Sequence, residues 1–320
     1  MNDELSIVVI GSLLYDCVIW GDRFPETGET ILGQRNGYFT GGKGANQAVQ
    51  IARLGTKVHM IGCVGRDDPG DILLNTLSSF CVDTTYIDVL SHVPTGSDCI
   101  HVDANGDNRI MIAPLANQHL SRKTVDRALP IFQKSKVFLT QLETNLDMVL
   151  YGLKRAKQSG LITIFNPAPA IPIPDEMLSY ADYVTPNETE TRLLTGVLPE
   201  ADDISTCHEA ARRLQCRGAG NVLITLGKAG AYYNISGQTG IIPPFKVKAV
   251  DTTAAGDSFN GAFAVCLANG WDPVKAVRYA CAAGALTASR PGAQQSMGTR
   301  EEIERLIREQ CSPDLQGGNP

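Results

Sequence analysis

Asp257 is the residue whose surroundings in the sequence most favour catalysis. It lies in the segment 251–259, DTTAAGDSF, where small residues lead into an apolar stretch with helical periodicity. The first amides of a helix lack intrahelical acceptors, so the N–H groups of Ala255, Gly256 and Asp257 should point at a common spot. Such donors could stabilise a phosphoryl group in transfer, while Asp257 takes the proton from an attacking hydroxyl. A helix N-terminus stabilises a carboxylate, so we expect a weak base. The alternative is a capping aspartate.

A glycine-rich segment, GGKGAN at 41–46, opens the first long predicted helix. Glycines let a ligand approach the backbone, and free N–H groups at a helix start attract polar or anionic ligands. Lys43 and Asn46 are three residues apart and therefore share one helix face. The alternative is a tight turn followed by a solvated lysine. The segment nearly spells a phosphate-binding P-loop, but Gly44 stands where that motif needs Ser or Thr, so we reject this interpretation.

Further polar residues follow predicted strands. Asn187 and Glu190 are three residues apart, which puts an amide and a carboxylate on one helix face. Such a pair can hold Mg²⁺-bound water near nucleotide phosphates, or it can form a capping box. The loop 225–230, TLGKAG, suits a nucleotide loop at the edge of a sheet, or an ordinary hairpin turn. Glu143 and Asp16 also follow strands, and each alone would be a surface acid.

Short apolar runs alternate along the chain with stretches of helical period. The predicted strands are Leu5–Gly11, Lys57–Cys63, Lys136–Thr140, Leu161–Phe165, Asp182–Thr185 and Asn221–Leu226. The predicted helices are Lys43–Leu54, Asp68–Ser78, Arg122–Gln133, Asp147–Gln158, Ile204–Leu214, Ala255–Asn269 and Pro273–Ser289. Continuous apolar strands that alternate with helices indicate an α/β fold with a doubly wound, mainly parallel sheet flanked by helices.

Two segments, about 15–40 and 96–114, show alternation and turn signals instead of helical period. The Asn105-Gly106 pair predicts a β-hairpin, and the two segments together predict a small β-sheet lid beside the core. The apolar residues of such a lid could cover a cleft or pack against a second subunit. We expect residues 1–312 to form a single domain and residues 313–320 to be a frayed tail.

Composition restricts the function further. The 320 residues are 43% hydrophobic and 19% charged, which is too apolar and too weakly charged for a disordered chain. The net charge of −6 argues against nucleic acid as the main partner. No apolar run reaches the roughly 18 residues that span a membrane, and the first residues lack a basic signal-peptide region. Nine scattered cysteines without metal-like spacing suit a reducing compartment, so we expect a cytoplasmic enzyme.

Four motifs decide between these interpretations because they occur together and in order. They are GGKGANQAV at 41–49, TPNETE at 185–190, TLGKAG at 225–230 and VDTTAAGDSFNGA at 250–262. From Ile7 to about Ile307 the chain resembles the ribokinases of the PfkB carbohydrate kinase family. The resemblance implies a β-sheet lid that clasps the lid of a second subunit in a homodimer. It also implies ATP-dependent phosphorylation of a primary hydroxyl, the 5-hydroxyl of a pentose in ribokinases.

The resemblance also implies roles for individual residues. Asp257 would be the general base, with the amides of Ala255 and Gly256 in the anion hole. The positions that match sugar contacts are Asp16, Gly42, Lys43, Asn46, Glu143 and Asp257. Those that match nucleotide contacts are Asn187, Thr225, Leu226, Gly227, Lys228, Ala229, Gly230, Gly256 and Cys281. Glu190 would hold Mg²⁺ through water. A monovalent cation, usually K⁺, would lie among Asp251, Thr253, Thr287, Arg290, Gly292 and Ser296, largely against backbone oxygens.

One departure from the family pattern concerns the acceptor. Leu14 stands where bacterial ribokinases commonly have an asparagine that contacts the sugar, and loss of a polar group favours tolerance of a missing hydroxyl. D-Ribose is therefore the preferred hypothesis, with 2-deoxy-D-ribose or another sugar as the alternative. A nucleoside kinase is disfavoured because this lid has few aromatic residues. A catalytically silent sensor is the non-enzyme alternative, against which the retention of Asp257 argues.

Overall fold

The computed structural model describes residues 5–311, which form two β-sheets and eleven α-helices. The strands are β1 (Ser6–Ile10), β2 (Leu14–Trp20), β3 (Arg35–Gly41), β4 (Lys57–Gly65), β5 (Asp83–Leu90), β6 (Gly96–Val102), β7 (Asn108–Ala113), β8 (Val137–Thr140), β9 (Ile162–Phe165), β10 (Tyr183–Val184), β11 (Asn221–Thr225), β12 (Ala231–Ile235) and β13 (Gln238–Ile242). The helices are α1 (Lys43–Arg53), α2 (Asp68–Ser79), α3 (Arg122–Arg127), α4 (Leu129–Phe132), α5 (Leu146–Gln158), α6 (Asp175–Ser179), α7 (Glu188–Thr195), α8 (Ile204–Cys216), α9 (Ala255–Ala268), α10 (Pro273–Ala288) and α11 (Arg300–Cys311).

The larger sheet has nine strands in the order β13-β12-β11-β10-β9-β8-β1-β4-β5. The seven strands from β11 to β5 run parallel, and β12 and β13 continue the sheet antiparallel. The chain leaves β1 towards β4 on one side and later returns to β8 on the other. Crevices for ligands open at such a switch point, at the carboxyl ends of the strands. The predicted fold class is confirmed.

Apolar side chains on both faces of this sheet form the core. On β1, Ile7 and Val9 pack into the cluster beneath α1, α9 and α10, whereas Val8 and Ile10 pack into the cluster beneath α5 and α8. Burial on both faces explains why the central strands are continuous apolar runs. None of the helices within residues 5–311 combines the length and the apolar character needed to cross a membrane.

The smaller sheet has four strands in the order β3-β2-β6-β7 and is the lid sheet. Strands β6 and β7 form the predicted hairpin, with Gly106 in its turn at φ +84°. Strands β2 and β6 pair in parallel, with Leu14 opposite Gly96 and Asp16 opposite Asp98. Strand β3 leads directly into α1, so the lid joins the core at the glycine-rich segment.

The structure differs from the sequence predictions mainly at the edges of the large sheet. The sequence analysis missed β5, β12 and β13, although the Ser236-Gly237 turn, with positive φ at both residues, is a hairpin signal. The predicted helix over 122–133 is divided into α3 and α4, because Pro130 cannot continue the hydrogen-bond ladder of α3. The frayed tail predicted for 313–320 lies outside the described residues.

Candidate active site

The N-terminus of α1 forms one wall of the site. Gly42 adopts φ +89°, and a Cβ atom there would lie 2.8 Å from the backbone nitrogen of Leu14, so only glycine fits. The backbone N–H of Lys43 donates to Glu143 Oε2 at 2.9 Å, and Ser12 Oγ donates to the same oxygen at 2.6 Å. Glu143 therefore lies at the positive end of α1 and is not a free surface acid.

Asp257 lies in the first turn of α9 with its carboxylate facing α1. It is buried, and its two oxygens accept hydrogen bonds from Asn46 Nδ2 and Gln47 Nε2, each at 3.0 Å. The residue that caps α9 is Ala254, in the left-handed conformation at φ +59°. The capping alternative for Asp257 is therefore wrong, because its carboxylate is held by two side-chain amides of another helix.

Burial makes Asp257 a stronger base than the helix terminus alone would give. Burial raises the pKa of Asp257, while the ammonium of Lys43 and the two amides oppose that rise. The expectation of a weak base is wrong in direction, because desolvation outweighs the stabilisation of the carboxylate. Burial alone would lower the pKa of Lys43, but the surrounding carboxylates, Glu143 foremost, raise it. Lys43 is therefore a permanent cation beside Asp257.

The predicted anion hole has two free donors instead of three. The N–H of Ala255 donates to the carbonyl oxygen of Thr252 at 3.2 Å, because the left-handed Ala254 folds the preceding residues into a turn. In the chain between residues 5 and 311, no protein acceptor is bonded to the N–H groups of Gly256 and Asp257. A Cβ on Gly256 would have no atom within 4 Å, so this position is open to a ligand.

A cavity of about 690 Å³ extends from Lys43 and Asp257 along the carboxyl ends of the strands. The predicted nucleotide residues that line it are Asn187, Thr225, Gly227, Lys228, Gly230, Gly256 and Cys281. Leu226 and Ala229 instead pack against the core. The loop 225–230 joins antiparallel β11 and β12, so it is both a hairpin connection and a wall of the cavity. Burial raises the pKa of Cys281 to about 12, which keeps its thiol neutral.

Asn187 and Glu190 form the capping box of α7. Asn187 N donates to Glu190 Oε2 at 2.8 Å, and Glu190 N donates to Asn187 Oδ1 at 2.8 Å. Both residues also line the cavity, so the structural interpretation does not exclude a ligand role. Burial raises the pKa of Glu190 to about 7, and a cation beside it would restore the charged form.

The residues predicted to surround a monovalent cation lie outside the cavity lining, in the loop before α9, in the last turn of α10 and in the segment between α10 and α11. The carboxylate of Asp251 accepts from Thr253 N at 2.9 Å and from Gly292 N at 3.0 Å, which holds the loops together. The other side chains are engaged elsewhere, Thr287 with Ser258, Arg290 with Glu302 and Ser296 with the carbonyl of Ala293. Thr287 and Ser296 donate these hydrogen bonds, so their hydroxyl oxygens could still face a cation, whereas Arg290 could offer only its backbone oxygen.

The sequence analysis named Asn46 but missed Gln47, the second amide that holds the base, and Gln294, which supports Asn46. Gln47 contacts Asp257 directly, and its place immediately after the GGKGAN segment was the available signal. Gln294 donates to Asn46 Oδ1 at 3.2 Å and accepts from Thr40 Oγ1 on β3 at 2.9 Å. This chain of hydrogen bonds connects the lid sheet to the helix that positions Asp257. No local pattern around Gln294 indicates this role.

Comparisons with known proteins establish the family of this chain. The model of the pfkB family carbohydrate kinases matches residues 4–300. The ribokinase of Haemophilus influenzae is 41% identical over 302 residues, which cover 94% of this chain and 98% of the relative. The deoxyribokinase of Salmonella typhi is 35% identical over 306 residues, which cover 95% of this chain and 99% of the relative.

Solved structures give the same result. The structure of Arabidopsis thaliana ribokinase complexed with ribose and ATP has a TM-score of 0.87 and 30% identity, covering 95% of this chain and 99% of that one. The resemblance inferred from the four sequence motifs is confirmed. The chain belongs to the pfkB family of carbohydrate kinases and is a sugar kinase, a phosphotransferase whose acceptor is an alcohol.

Proposed function

We propose that this chain transfers the γ-phosphoryl group of ATP to the 5-hydroxyl of D-ribose, with Asp257 as general base. The observation that carries the proposal is the position of Asp257, a buried carboxylate held by two amides between the lid and the cavity. The full-length similarity to ribokinases supports ribose as the acceptor. The complex of the Arabidopsis relative with ribose and ATP supports both substrates.

In the proposed reaction the sugar lies between Lys43 and the lid sheet, and the ATP phosphates approach through the cavity. Asp257 accepts the proton of the 5-hydroxyl as its oxygen forms a bond to the γ-phosphorus. The bond from that phosphorus to the bridging oxygen of ADP breaks, and ADP leaves. The N–H groups of Gly256 and Asp257 face the transferring group, and Lys43 neutralises part of its charge. These groups act by positioning and by charge, as phosphoryl transfer requires.

The residues of the cavity fit a magnesium–nucleotide complex. Glu190 supplies a carboxylate at the wall, with one oxygen engaged in the capping box. Mg²⁺ prefers oxygen ligands and keeps several waters, so a single carboxylate acting through water suffices. When bound, Mg²⁺ would neutralise charge on the ATP phosphates. The backbone N–H of Asn187 donates to the Glu190 carboxylate and fixes the direction of that side chain.

We also propose a K⁺ site between the loops that Asp251 joins. Replacement of K⁺ by Na⁺ at constant ionic strength should lower kcat several-fold, because the smaller ion cannot span the same backbone oxygens. Steady-state rates in the two salts measure this effect, and Asp251→Asn should reduce the difference between them. Equal rates of the parent protein in both salts would remove the cation from the account.

We propose a homodimer through the lid sheet. Tyr38 and Met111 are 58% and 79% exposed, on the face of the lid sheet opposite Asp16. Exposed apolar residues on one sheet face are typical of an interaction surface. Light scattering should give a mass near twice 34.4 kDa, and Met111→Lys should lower it towards the monomer. A parent protein of monomeric mass at micromolar concentration would contradict the proposal.

The free cysteines of the chain support a cytoplasmic location. The eight cysteines described with side chains are free thiols, and Cys81, Cys99 and Cys216 are exposed. Free exposed thiols persist in reducing compartments. We therefore propose that the reaction takes place in the cytoplasm.

The second candidate is phosphorylation of 2-deoxy-D-ribose, which Leu14 favours. Its side chain is buried on the lid strand β2 and offers no hydrogen bond to a sugar. A coupled assay of ADP release with MgATP and K⁺, at matched concentrations of the two sugars, separates the candidates. Higher kcat/KM for ribose supports the proposed function, whereas higher kcat/KM for 2-deoxyribose supports the second. Turnover of neither sugar contradicts both.

A further inference from the structure

Asp98 is a second carboxylate on the lid sheet that neither the motifs nor the reaction described above uses. It lies on β6 directly opposite Asp16 on β2, in parallel register, so both side chains emerge from the same face. Side chains at directly opposite positions of neighbouring strands lie side by side, so the two carboxyl groups are adjacent. Asp16 is only 8% exposed. In the described part of the chain, Oδ1 of each residue is buried and has no hydrogen-bond partner.

The pair faces the acceptor side of the site. A Cβ on Gly41 would lie 2.1 Å from Asp16 Oδ2, which places this carboxylate against the strand that leads into α1. Burial raises the pKa of Asp16, and the charges of Asp98, Glu143 and Asp257 raise it further. Asp257 is the proposed base, so the pair lies near enough to the reacting end of the pocket for its charge to act on Asp16.

The adjacent carboxyl groups of Asp16 and Asp98 need donors, and no residue from 5 to 311 bonds to their Oδ1 atoms. Both Oδ1 atoms are buried acceptors without a partner, which is costly unless a ligand supplies the donors. A neutral polyol offers the missing O–H donors without adding charge. The geometry is therefore that of a hydroxyl-binding site with two adjacent acceptors.

We propose that Asp98 is a second sugar-binding carboxylate, which recognises with Asp16 two vicinal hydroxyl groups of the acceptor. The inference rests on the proposed function, because it takes the 5-hydroxyl to lie at Asp257. The hydroxyls on C1, C2 and C3 of ribose then face the lid sheet. Either vicinal pair among them, C1 with C2 or C2 with C3, includes the 2-hydroxyl. We assign the 2-hydroxyl of this pair to Asp98 and its neighbour to Asp16. Asp98 then makes the pocket selective for sugars that carry a 2-hydroxyl, which opposes the effect of the apolar Leu14.

Asp98→Ala tests this assignment, with Asp98→Asn as the conservative variant. Asp98→Ala should lower kcat/KM for D-ribose by about 10- to 100-fold, the range for loss of a hydrogen bond to a charged group. The loss should appear in KM, with kcat nearly unchanged, because the contact is remote from the reacting hydroxyl. The value of kcat/KM for 2-deoxyribose should change by less than threefold. Asp98→Asn keeps an acceptor and should lie between the parent and Asp98→Ala.

Asp107→Asn is the matched control, since it removes a carboxylate from the exposed turn between β6 and β7. Its kinetics should equal those of the parent for both sugars. A parent protein that phosphorylates ribose, with Asp98→Ala indistinguishable from the control, overturns the role of Asp98 and leaves the proposed function intact. An equal loss for both sugars also overturns it, because the contact would then not read the 2-hydroxyl. A parent that does not phosphorylate ribose removes the proposed function and the inference with it.

Discussion

Asp257→Asn should lower kcat by about 10²- to 10⁴-fold, the usual contribution of a positioned general base. Asparagine has nearly the same shape but cannot accept the proton of the attacking hydroxyl. In the parent protein the amides of Asn46 and Gln47 donate to the two carboxylate oxygens. The asparagine variant places an NH₂ group against one of these donors. Steady-state ADP release at saturating sugar and MgATP measures the loss.

The affinity for nucleotide should be retained, because the walls of the cavity that hold Asn187, Cys281 and the loop 225–230 do not depend on Asp257. Titration with a fluorescent ATP analogue checks this. Thermal unfolding, compared with that of Asp107→Asn, checks the fold. Retention of more than about a tenth of the parent kcat would show that Asp257 is not the base.

Gly256→Pro should lower kcat by about 10²- to 10³-fold, because it removes one of the two free N–H donors that face the transferring group. Gly256 is the second residue of α9, and proline is tolerated within the first helical turn. KM for the sugar should change little, since the donor faces the phosphoryl group and not the acceptor.

Gly256→Ala is the matched control, because it retains the N–H donor and the structure has space for its Cβ. It should lose much less kcat than Gly256→Pro, because its methyl group enters the ligand space but its N–H donor is kept. Circular dichroism and thermal unfolding of both variants check that the fold is retained. Equal losses of kcat in the two variants would mean that the side chain, and not the donor, causes the effect, which would contradict the anion hole.

The sequence was most informative where chemistry needs a helix N-terminus. The glycine-rich segment and the AAGD segment predicted the starts of α1 and α9, and the structure brings these two ends together at Asp257. Both starts could be predicted because glycines and small residues before an apolar helix are local signals. The central strands could be predicted for the same reason, as continuous apolar runs.

The remaining features depend on contacts between distant parts of the chain. The donor lost at Ala255 follows from the left-handed conformation of Ala254, which is rare for alanine and has no sequence signal. The pairing of Asp16 with Asp98 depends on the register between β2 and β6, whose residues are 82 positions apart. Gln294 reaches Asn46 across 248 positions. No local spacing rule relates such residues.

The position of the transferred phosphoryl group tests the account most directly. The parent protein is incubated with D-ribose, MgATP and K⁺, and the product is examined by ³¹P and ¹H NMR. The account predicts ribose phosphorylated on its 5-hydroxyl, with one ADP formed for each phosphate transferred. Phosphate on the hydroxyl of C1, C2 or C3, or ADP release without a phosphorylated sugar, would contradict it.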